Sequence, residues 1–415
     1  MCGMTHAPDP ATDPDYNLAA PLDLDYYGVF ADLPEADKRW WSTARRFGEG
    51  LEARMTQHWE KAEYPVDLLR QAGSLGLFTD GVDVSDLGIE TLSPMAAGLV
   101  NMETSRIDGS LSTALAVQGG LALRTLALFG SAAQRQEHLA KLASCETLGA
   151  FALTEPTHGS DSVSLETTAE LHGDEETGRY VLNGAKKWIG NGASGGITLT
   201  WARVLGGEHD GNVRCFLVPQ ETPGYRAQVI EHKASLRAIH QALIQYDNVE
   251  LPATAVLPLS KTFKDAATVL FATRLGVAWS AVGHAAACVE AALTYAQQRR
   301  QFSKPIGAHQ LVQERLAFMV SELTSMQLHA KQVTELDAAG RLSGPQASMA
   351  KLHNTRKARQ IAQVARDMLG GNGILLSNKV ARHMADIESA HTYEGTESVQ
   401  SLIIGRDLTG FSAFA

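Results

Sequence analysis

Glu394 is the first residue of interest because it stands in the run T-Y-E-G-T at 392–396. Partial burial beside the ring of Tyr393 would disfavour the charged carboxylate and bring it towards the range in which a general base works best. Gly395 would let a ligand or a neighbouring chain approach the backbone closely. These features suit removal of a proton from carbon. Taken alone, the pentapeptide fits a solvated glutamate at a helix end better, so its interpretation as a base depends on the rest of the chain.

Two further segments have the residue types needed to bind a flat ring system. The run F-A-L-T-E-P-T-H-G-S-D at 151–161 offers hydroxyls, and its Gly159 permits close approach and positive φ. Trp188, in the run K-K-W-I-G-N at 186–191, could stack on such a ring. An ordinary turn and a core tryptophan are the simpler interpretations of these segments when each is taken singly.

The last third of the chain contains two segments suited to a phosphate ligand. They are R-R-Q-F at 299–302 and G-G-N-G at 370–373. Arginine side chains together with exposed backbone N–H groups suit a pyrophosphate. A solvated helix end and a helix C-cap explain the two segments equally well in isolation.

Length and composition limit the class of protein. The chain has 415 residues, enough for two or three domains, and its 44% hydrophobic and 20% charged content is typical of globular proteins. A formal net charge of −10 argues against nucleic-acid or membrane-surface binding, although local arginines could still hold a polyphosphate. The 14 histidines and four cysteines show neither zinc spacing nor a C-x-x-C pair, so we expect no metal site and a cytoplasmic location.

The ends and the apolar stretches carry no targeting or spanning signal. Residues 1–24 are rich in Asp, Pro and Ala, which predicts a flexible arm and not a signal peptide. The apolar stretches Ala114–Gly130 and Val277–Leu293 contain polar residues and are short for a membrane span, so we expect buried helices. The C-terminal residues F-S-A-F-A form no peroxisomal address.

The periodicity of apolar residues divides the chain into three regions. Residues 25–150 have helical spacing, 151–257 contain short β-prone runs, and 258–415 return to long helical patterns. In the last region we predict helices from about 262 to 300 and from 309 to 339. A third helix is predicted over 346–369, with Ser343 as a start signal and two glycines as a stop.

Together the segments resemble one family, the FAD-dependent acyl-CoA dehydrogenases, from about residue 34 to the C-terminus. The resemblance is carried by L-T-E-P-T-H-G-S-D, by W-I-G-N, by R-R-Q-F-S-K-P with Gln310, and by D-M-L-G-G-N-G with T-Y-E-G-T. Within the family the chain is most similar to the branch of glutaryl-CoA dehydrogenases and short-chain acyl-CoA oxidases, in which K-A-S-L-R (233–237) is typical. The resemblance implies an α+β fold with an N-terminal helical domain, a middle β-barrel-like domain and a C-terminal four-helix bundle. It also implies a homotetramer with FAD sites shared between subunits, and an electron-transfer flavoprotein as acceptor.

The resemblance also implies roles for individual residues. Glu394 is expected to be the catalytic base, with its own backbone N–H polarising the thioester carbonyl. The substrate is expected to contact Ser160, Arg274, Gly395, Ser112 and Ala116. The residues expected to hold FAD in or next to the thioester site are Phe151, Leu153, Thr154, Gly159, Ser160, Trp188, Ile189 and Gly190. Those expected to hold FAD elsewhere, partly that of a neighbouring subunit, are Arg299, Gln301, Phe302, Gln310, Asp367, Gly370, Gly371, Thr396 and Ser398.

Two positions depart from the family pattern. Glutaryl-CoA dehydrogenases use an arginine and a serine on an early helix to hold the free carboxylate of the substrate, and here the matching residues are Ser112 and Ala116. We therefore expect an uncharged short or branched acyl chain. Gly190 stands where many members have a threonine, and we expect the loss of its side chain to open space near the flavin ring.

The resulting hypothesis is α,β-dehydrogenation of an acyl-CoA thioester in fatty-acid β-oxidation, giving a trans-2-enoyl-CoA. An oxidase that uses O₂ and a glutaryl-CoA dehydrogenase are the alternatives within the family. A serine hydrolase is a remote alternative, because G-A-S-G-G at 192–196 formally matches a nucleophile elbow but leads into a strand pattern. A non-catalytic relative or a flavin monooxygenase is disfavoured by the presence of Glu394.

Overall fold

The structure is a computed structural model that describes Leu18, residues 22–78 and residues 81–414. The predicted flexible arm, 1–24, lies mostly outside the described residues. Its described part contacts the C-terminal helices: Leu18 is buried in their core, and the Leu22 N–H donates to Glu290 Oε1 at 3.3 Å.

Helices make up most of the described N-terminal region. They are α1 (Glu35–Gly48), α2 (Glu52–Lys61), α3 (Val66–Ser74), a short 3-10 helix (Ser85–Leu87), α4 (Pro94–Ile107), α5 (Gly109–Ala116), a π-helical segment (Val117–Leu123), α6 (Arg124–Phe129) and α7 (Ala132–Ala143). Ser93 at α4, Asp108 at α5 and Ser131 at α7 cap these helices, because their side chains accept orphan backbone N–H groups of the first turn. The π-helical turn widens the helix at the point where the Gln118 side chain bonds the carbonyls of Leu142 and Thr147 at 2.8 and 2.9 Å.

The middle region is one seven-stranded mixed sheet. Its strands are β1 (Gly149–Ala152), β2 (Thr168–His172), β3 (Arg179–Gly190), β4 (Ile197–Leu205), β5 (Val213–Pro219), β6 (Tyr225–Val229) and β7 (Gln241–Pro252). They are ordered β1-β4-β2-β3-β7-β6, with β5 paired to β4. The β3–β7 ladder shifts register between Lys186 and Ile189, which marks an irregularity beside Trp188.

The C-terminal region is a helical bundle. It comprises α8 (Phe263–Gln298), a hairpin of β8 (Arg300–Gln301) and β9 (Lys304–Pro305), α9 (Gln310–Ala338), α10 (Gly344–Met368), α11 (Val380–Thr392) and α12 (Glu397–Thr409). The three predicted long helices are thus confirmed to within about two residues, and Ser343 caps α10 as predicted. Helices α8 to α11 enclose one apolar core, which explains why α8 is apolar on nearly all sides.

Two helical stretches are long and apolar enough to cross a membrane by length and composition: Gly109–Phe129 and Phe263–Gln298. In the most apolar 18 residues of each stretch, the share that is buried inside the protein is 72% and 56%, respectively. Their position in the protein core accounts for their hydropathy, as the sequence analysis expected of the stretches that they contain.

The turn 192–196 lies between β3 and β4. A nucleophile elbow needs a helix directly after the serine, and here a strand follows. This segment therefore lacks the geometry of a serine hydrolase.

Asp386 of α11 joins all three regions at one point. Its carboxylate accepts the Trp59 Nε1–H of α2 at 3.0 and 3.1 Å and the Leu236 N–H of the middle region at 2.6 Å. Nearby, Arg382 pairs with Asp108 at 2.6 Å and also with Glu52. Burial and the neighbouring Asp108 carboxylate raise the pKa of Asp386 to about 7. Folding therefore makes the Asp386 carboxyl group at this junction bind its proton more tightly than in the unfolded chain.

Removing the Asp386 carboxyl group is expected to weaken the junction of the three regions. D386A leaves the N–H groups of Trp59 and Leu236 buried without an acceptor, which costs about 3 kcal/mol. D386N keeps an oxygen acceptor and should stay within about 1 kcal/mol of the parent chain. The measurement is the thermal midpoint of each variant at fixed pH. Equal midpoints for D386A and the parent chain would contradict the role of this contact.

The pH dependence of stability follows from the same group. Between the ordinary Asp value near 4 and the raised pKa of about 7, the folded chain holds one proton more than the unfolded chain at Asp386. Its contribution to stability is therefore fully present below about pH 4 and is lost as the pH rises towards 7. D386N should remove that fall from a plot of melting temperature against pH.

Candidate active site

Glu394 lies in the short loop that links α11 to α12. Its backbone is left-handed, with φ of 52°, and that of Gly395 is left-handed too, with φ of 88°. A Cβ on Gly395 would stand 2.4 Å from Gln400 Nε2, so this position needs glycine for space as well as conformation. Two consecutive left-handed residues turn the chain sharply and fix the direction of the Glu394 side chain.

Two buried side chains hold the carbonyl groups of this loop. Lys351 Nζ, from α10, donates to the carbonyl oxygens of Tyr393 and Gly395. Gln400 Nε2, from α12, donates to the carbonyls of Glu394 at 2.9 Å and Gly395 at 3.1 Å. Every carbonyl from 393 to 395 thus has a side-chain donor, which stabilises the left-handed conformation.

Positive charge surrounds the Glu394 carboxylate. Burial lowers the pKa of Lys351 to about 8, and Glu394 opposes that decrease. Burial likewise lowers the pKa of Arg274, on α8, and Glu394 is the one charge that opposes it there. Arg274, expected at the substrate, therefore lies within electrostatic reach of the predicted base.

Tyr393 connects the Glu394 loop to the N-terminal helices. It packs against the apolar clusters of both the helical bundle and the N-terminal region. Burial raises the pKa of its hydroxyl, and the nearby Thr113 of α5 and Ser280 of α8 oppose that increase. Tyr393, the residue before the predicted base, therefore packs against the same apolar cluster that supplies most of the lining of a cavity in the N-terminal region.

That cavity is narrow: its accessible space is about 20 Å³, so any ligand larger than a water molecule would require it to widen. Its lining residues are Leu77, Phe78, Leu92, Ala97, Val100, Asn101, Thr104, Leu115, Ala116 and Gly120. Ala116, which the sequence analysis predicts to contact the substrate, is one of these lining residues. Ser112 is not among these residues, because it is buried between Ser105 Oγ at 2.7 Å and Thr104 Oγ1 at 3.3 Å.

The cavity is neutral. Asn101 and Thr104 are its polar lining residues, and no lysine or arginine is among those described. Arg106, on α4, is committed to Glu103 at 2.9 Å and Glu290 at 3.2 Å. Since both of its charged partners are buried, this arginine serves the core of the protein.

Trp188 stands at the irregular end of β3 with its indole 51% exposed. Its backbone is left-handed, with φ of 66°, and the ammonium of Lys187 lies 5.4 Å from the centre of its ring. A half-exposed tryptophan held by unusual backbone geometry offers a fixed flat surface for stacking. Ile189, which follows, is buried.

Gly190 does not open space, contrary to the expectation from the sequence. A Cβ at this position would stand 2.9 Å from Val117 Cγ2 and 3.5 Å from Ile239 Cδ1. The π-helical segment brings Val117 into the volume that a larger residue at 190 would need. The same helix therefore forms the cavity wall at Ala116 and touches the β3 edge at Val117.

The loop 151–161 has a buried base and an exposed rim. Lys186 Nζ donates to the Leu153 carbonyl at 3.0 Å and pairs with Glu155 at 2.9 Å. Burial acts to raise the pKa of Glu155, but Lys186 and backbone N–H groups outweigh it and lower the value to about 2. Phe151 is buried as well, whereas Gly159 and Ser160 are exposed and Thr154 is intermediate. The rim of this loop can therefore contact a ligand while its base stays fixed.

A second cavity, of about 420 Å³, lies beside the end of α8. Its lining residues are Tyr295, Arg299, Gln301, Ile306, Met368, Leu369, Gly370, Gly371 and Asn372. Four predicted residues, Arg299, Gln301, Gly370 and Gly371, thus come together there. A Cβ on either glycine would meet nothing within 4 Å, so the space beside them is open to a ligand.

The remaining predicted residues lie outside the linings of the two cavities. Phe302 is 88% exposed at the tip of the β8–β9 hairpin, and Gln310 is exposed at the start of α9. Asp367 is exposed and pairs with Arg315 and Arg366 at 3.7 and 3.5 Å. Thr396 caps α12 by accepting the Val399 N–H at 3.3 Å, and Ser398 is exposed in its first turn.

Comparison with known proteins identifies the class. The N-terminal, middle and C-terminal domain models of the acyl-CoA dehydrogenases match residues 34–146, 150–249 and 263–409. The chain therefore belongs to the acyl-CoA dehydrogenase family and is an oxidoreductase of that class. An acyl-CoA dehydrogenase of Bacillus subtilis is 33% identical over 353 residues, 84% of this chain and 91% of its own length.

Solved structures agree in fold. Glutaryl-CoA dehydrogenase from Mycobacterium smegmatis matches with a TM-score of 0.89 at 36% identity, over 94% of this chain and 98% of that one. A glutaryl-CoA dehydrogenase from the same organism, in complex with FADH2, matches with a TM-score of 0.88 at 35% identity, over 92% of this chain and 97% of that one. Butyryl-CoA dehydrogenase from Megasphaera elsdenii gives 0.84 at 28% identity, over 91% and 99% of the two chains. The predicted family and the α+β fold are confirmed.

The residues present fit FAD, the cofactor of this family. Trp188 supplies a flat exposed surface, and the rim of the loop 151–161 supplies hydroxyl and backbone donors. The second cavity combines Arg299 with an open glycine pair, which suits the charge and width of a pyrophosphate.

Sequence reasoning missed the residues that support the site. Lys351, Gln400 and Lys186 are buried, and each donates to the carbonyls of a site loop. The spacing of the two lysines could have indicated this. Lys351 lies four residues after the buried Ala347 of α10, and Lys186 lies four residues after the buried Leu182 of β3, so each lysine shares the inward face of its element. A charged residue at a position where the pattern predicts a buried apolar one indicates a buried ion pair or a side chain that bonds backbone carbonyls.

The contact between Gly190 and Val117 can be tested with a pair of variants. G190T should lower the melting temperature and the flavin retained on purification, because overpacking typically costs about 1–3 kcal/mol. Adding V117A removes the methyl groups in conflict and should restore both quantities. If V117A fails to rescue G190T, Val117 is not what restricts this position.

Proposed function

We propose that the chain catalyses FAD-dependent α,β-dehydrogenation of a short, uncharged acyl-CoA thioester to the trans-2-enoyl-CoA, with Glu394 taking the α-proton. One observation carries the proposal. A carboxylate in a backbone-anchored left-handed loop stands beside Tyr393, whose ring packs against the cluster that walls a small apolar cavity. An acyl chain in this cavity would present its first carbons towards that carboxylate.

Glu394 acts in two ways. Its carboxylate removes the α-proton, a step that a positioned base accelerates by about 10²–10⁴-fold. Its backbone N–H donates to the thioester carbonyl oxygen and stabilises the negative charge that develops there. Arg274 lies beside the carboxylate and holds the thioester end of the substrate, with Gly395 and Ser160 also at the substrate.

FAD, when bound, accepts the β-hydrogen as hydride, which no side chain of the protein can do. The ring is held by Trp188, Ile189 and the loop that contains Phe151, Leu153, Thr154, Gly159 and Ser160. The FAD of a neighbouring subunit would be held by Arg299, Gln301, Phe302, Gln310, Asp367, Gly370 and Gly371. Thr396 and Ser398 would reach the adenosine and pyrophosphate portion of FAD. This arrangement requires an assembly, which we propose to be a homotetramer, and we place it in the cytoplasm.

The lining of the acyl cavity supports an uncharged substrate. A glutaryl chain would bring its distal carboxylate among Ala116, Asn101 and Thr104, with no cation among the described lining residues. An isolated buried carboxylate costs several kcal/mol. Butyryl-CoA, the substrate named for the structural relative from Megasphaera elsdenii, has no such cost.

We propose an electron-transfer flavoprotein as the electron acceptor, and the packing at the β3 edge supports this choice. The sequence suggested an oxidase because Gly190 would leave a gap for O₂, yet Val117 fills that volume. This contact supports an electron-transfer flavoprotein as acceptor over direct use of O₂.

E394Q tests the base. The amide has nearly the same shape but cannot accept the proton, so the variant should stay yellow and folded while reduction by butyryl-CoA slows by at least about 10²-fold. The measurement is anaerobic bleaching of the visible flavin band. Undiminished bleaching would place the base elsewhere, and a protein that binds no flavin would overturn the proposed function. Rapid return of colour in air would favour the oxidase.

Substrate choice tests the neutral cavity. We expect kcat/KM for butyryl-CoA to exceed that for glutaryl-CoA by about 10²–10³-fold, corresponding to about 3–5 kcal/mol for an unpaired buried carboxylate. Valeryl-CoA, which matches glutaryl-CoA in chain length without the charge, is the control. Comparable values for glutaryl-CoA and valeryl-CoA would contradict the uncharged cavity.

A further inference from the structure

Lys351 is a buried charge that the proposed mechanism does not use. It lies on α10, is 1% exposed, and its ammonium group points at the loop that carries Glu394. A lysine is rarely buried without a reason, because removing its charge from water costs several kcal/mol. Its neighbours on the same helix, Ala347 and Ala350, are ordinary core residues.

The contacts of Lys351 enclose Glu394 from both sides. Its ammonium group donates to the carbonyl before Glu394, at Tyr393, and to the carbonyl after it, at Gly395. Gln400 holds the carbonyl of Glu394 itself at 2.9 Å. The backbone that carries the base is thus fixed by two side chains from two helices, α10 and α12.

The same ammonium group also acts on the Glu394 carboxylate through its charge. The attraction between Lys351 and Glu394 favours the charged form of each. The other titratable groups around the pair are Arg274 from α8, His391 from α11 and Tyr393 in the loop itself. Glu397 of α12 is engaged by Arg356 and by His391 at 3.3 Å. Among the described residues, Lys351 is therefore the one buried lysine that both bonds the carbonyls of this loop and lies within electrostatic reach of Glu394.

We propose that Lys351 is a positioning residue for the reaction: it fixes the left-handed loop that aims Glu394, and its charge keeps the Glu394 carboxylate ionised and ready to accept the α-proton. The proposal rests on the proposed function, in which Glu394 is the base. It assigns two separable effects to one side chain, a geometric one through the two carbonyls and an electrostatic one through the ammonium charge.

Three variants at position 351 separate the effects. K351Q keeps a donor without the charge, K351M removes both, and K351R keeps the charge with a larger head group. The matched control is K379Q, because Lys379 is equally buried but faces Glu52 and Glu290. The measurement is kcat/KM for butyryl-CoA from pH 5 to 9, together with flavin content and melting temperature.

The expected result concerns the acid limb of the pH–rate profile. In K351Q and K351M the pH at which kcat/KM falls on the acid side should rise by about one unit, because the carboxylate loses a neighbouring positive charge. In K351M kcat should also fall by about 10²-fold, since a misplaced base is costly. K351R should keep the limb of the parent enzyme while kcat falls. K379Q should lower the melting temperature without moving the limb.

Three results would overturn the proposal. They are an unmoved acid limb in a folded, flavin-bound K351Q or K351M, an equal movement in K379Q, and failure of both uncharged variants to fold while K379Q folds. The last would assign Lys351 to stability alone. E394Q is measured alongside: full activity of E394Q would contradict the proposed function itself, whereas an inactive E394Q with an unmoved K351Q contradicts only the role of Lys351.

Discussion

The candidate site depends on the anchoring of irregular backbone by buried cations. Its two principal loops leave regular structure, and so several of their carbonyl groups depend on side-chain donors. Lys186 supplies a donor to the loop at Leu153, and Lys351 supplies donors to the loop at Glu394. In a medium of low dielectric such charge-assisted bonds are strong, and they hold conformations that the sequence alone would not favour. The left-handed φ of Glu394 persists for this reason.

A single helical run relates the substrate side of the site to the cofactor side. Ala116 ends α5 on the wall of the acyl cavity, and Val117 begins the π-helical turn that contacts Gly190. The extra residue per turn in a π-helix rotates the following side chains, which is why π-turns are frequent at functional sites. Gln118, the next residue, fixes this turn to α7 and to β1, where the Gly149 N–H donates to it at 2.8 Å. Cavity size and access to the flavin edge are therefore not independent here.

Much of the fold could be predicted because its signals are local. The long helices of the bundle follow from apolar spacing and from caps such as Ser343, and the strands from β-prone runs between turn residues. Glu394 and the glycine pair at 370–371 could be named from a motif. The support of the site could not, because it depends on contacts between residues far apart in the chain. The approach of Val117 to Gly190 is one example: the sequence suggested a gap where tertiary packing leaves none.

The absence of a cation among the described lining residues of the acyl cavity has a structural origin beyond the two departures at Ser112 and Ala116. The nearest arginine of that region in sequence, Arg106, is held by Glu103 and Glu290, and Glu103 also binds Arg45 at 2.7 Å and the Trp41 indole at 2.6 Å. Moving the guanidinium into the cavity would leave two buried carboxylates short of a partner, which costs more than one new ion pair returns. Ser112 is likewise bound to Ser105, which in turn donates to Ser280 at 2.7 Å. On the function proposed above, a change of substrate from neutral to acidic would require rebuilding of this buried network, and one substitution at the cavity wall would not achieve it.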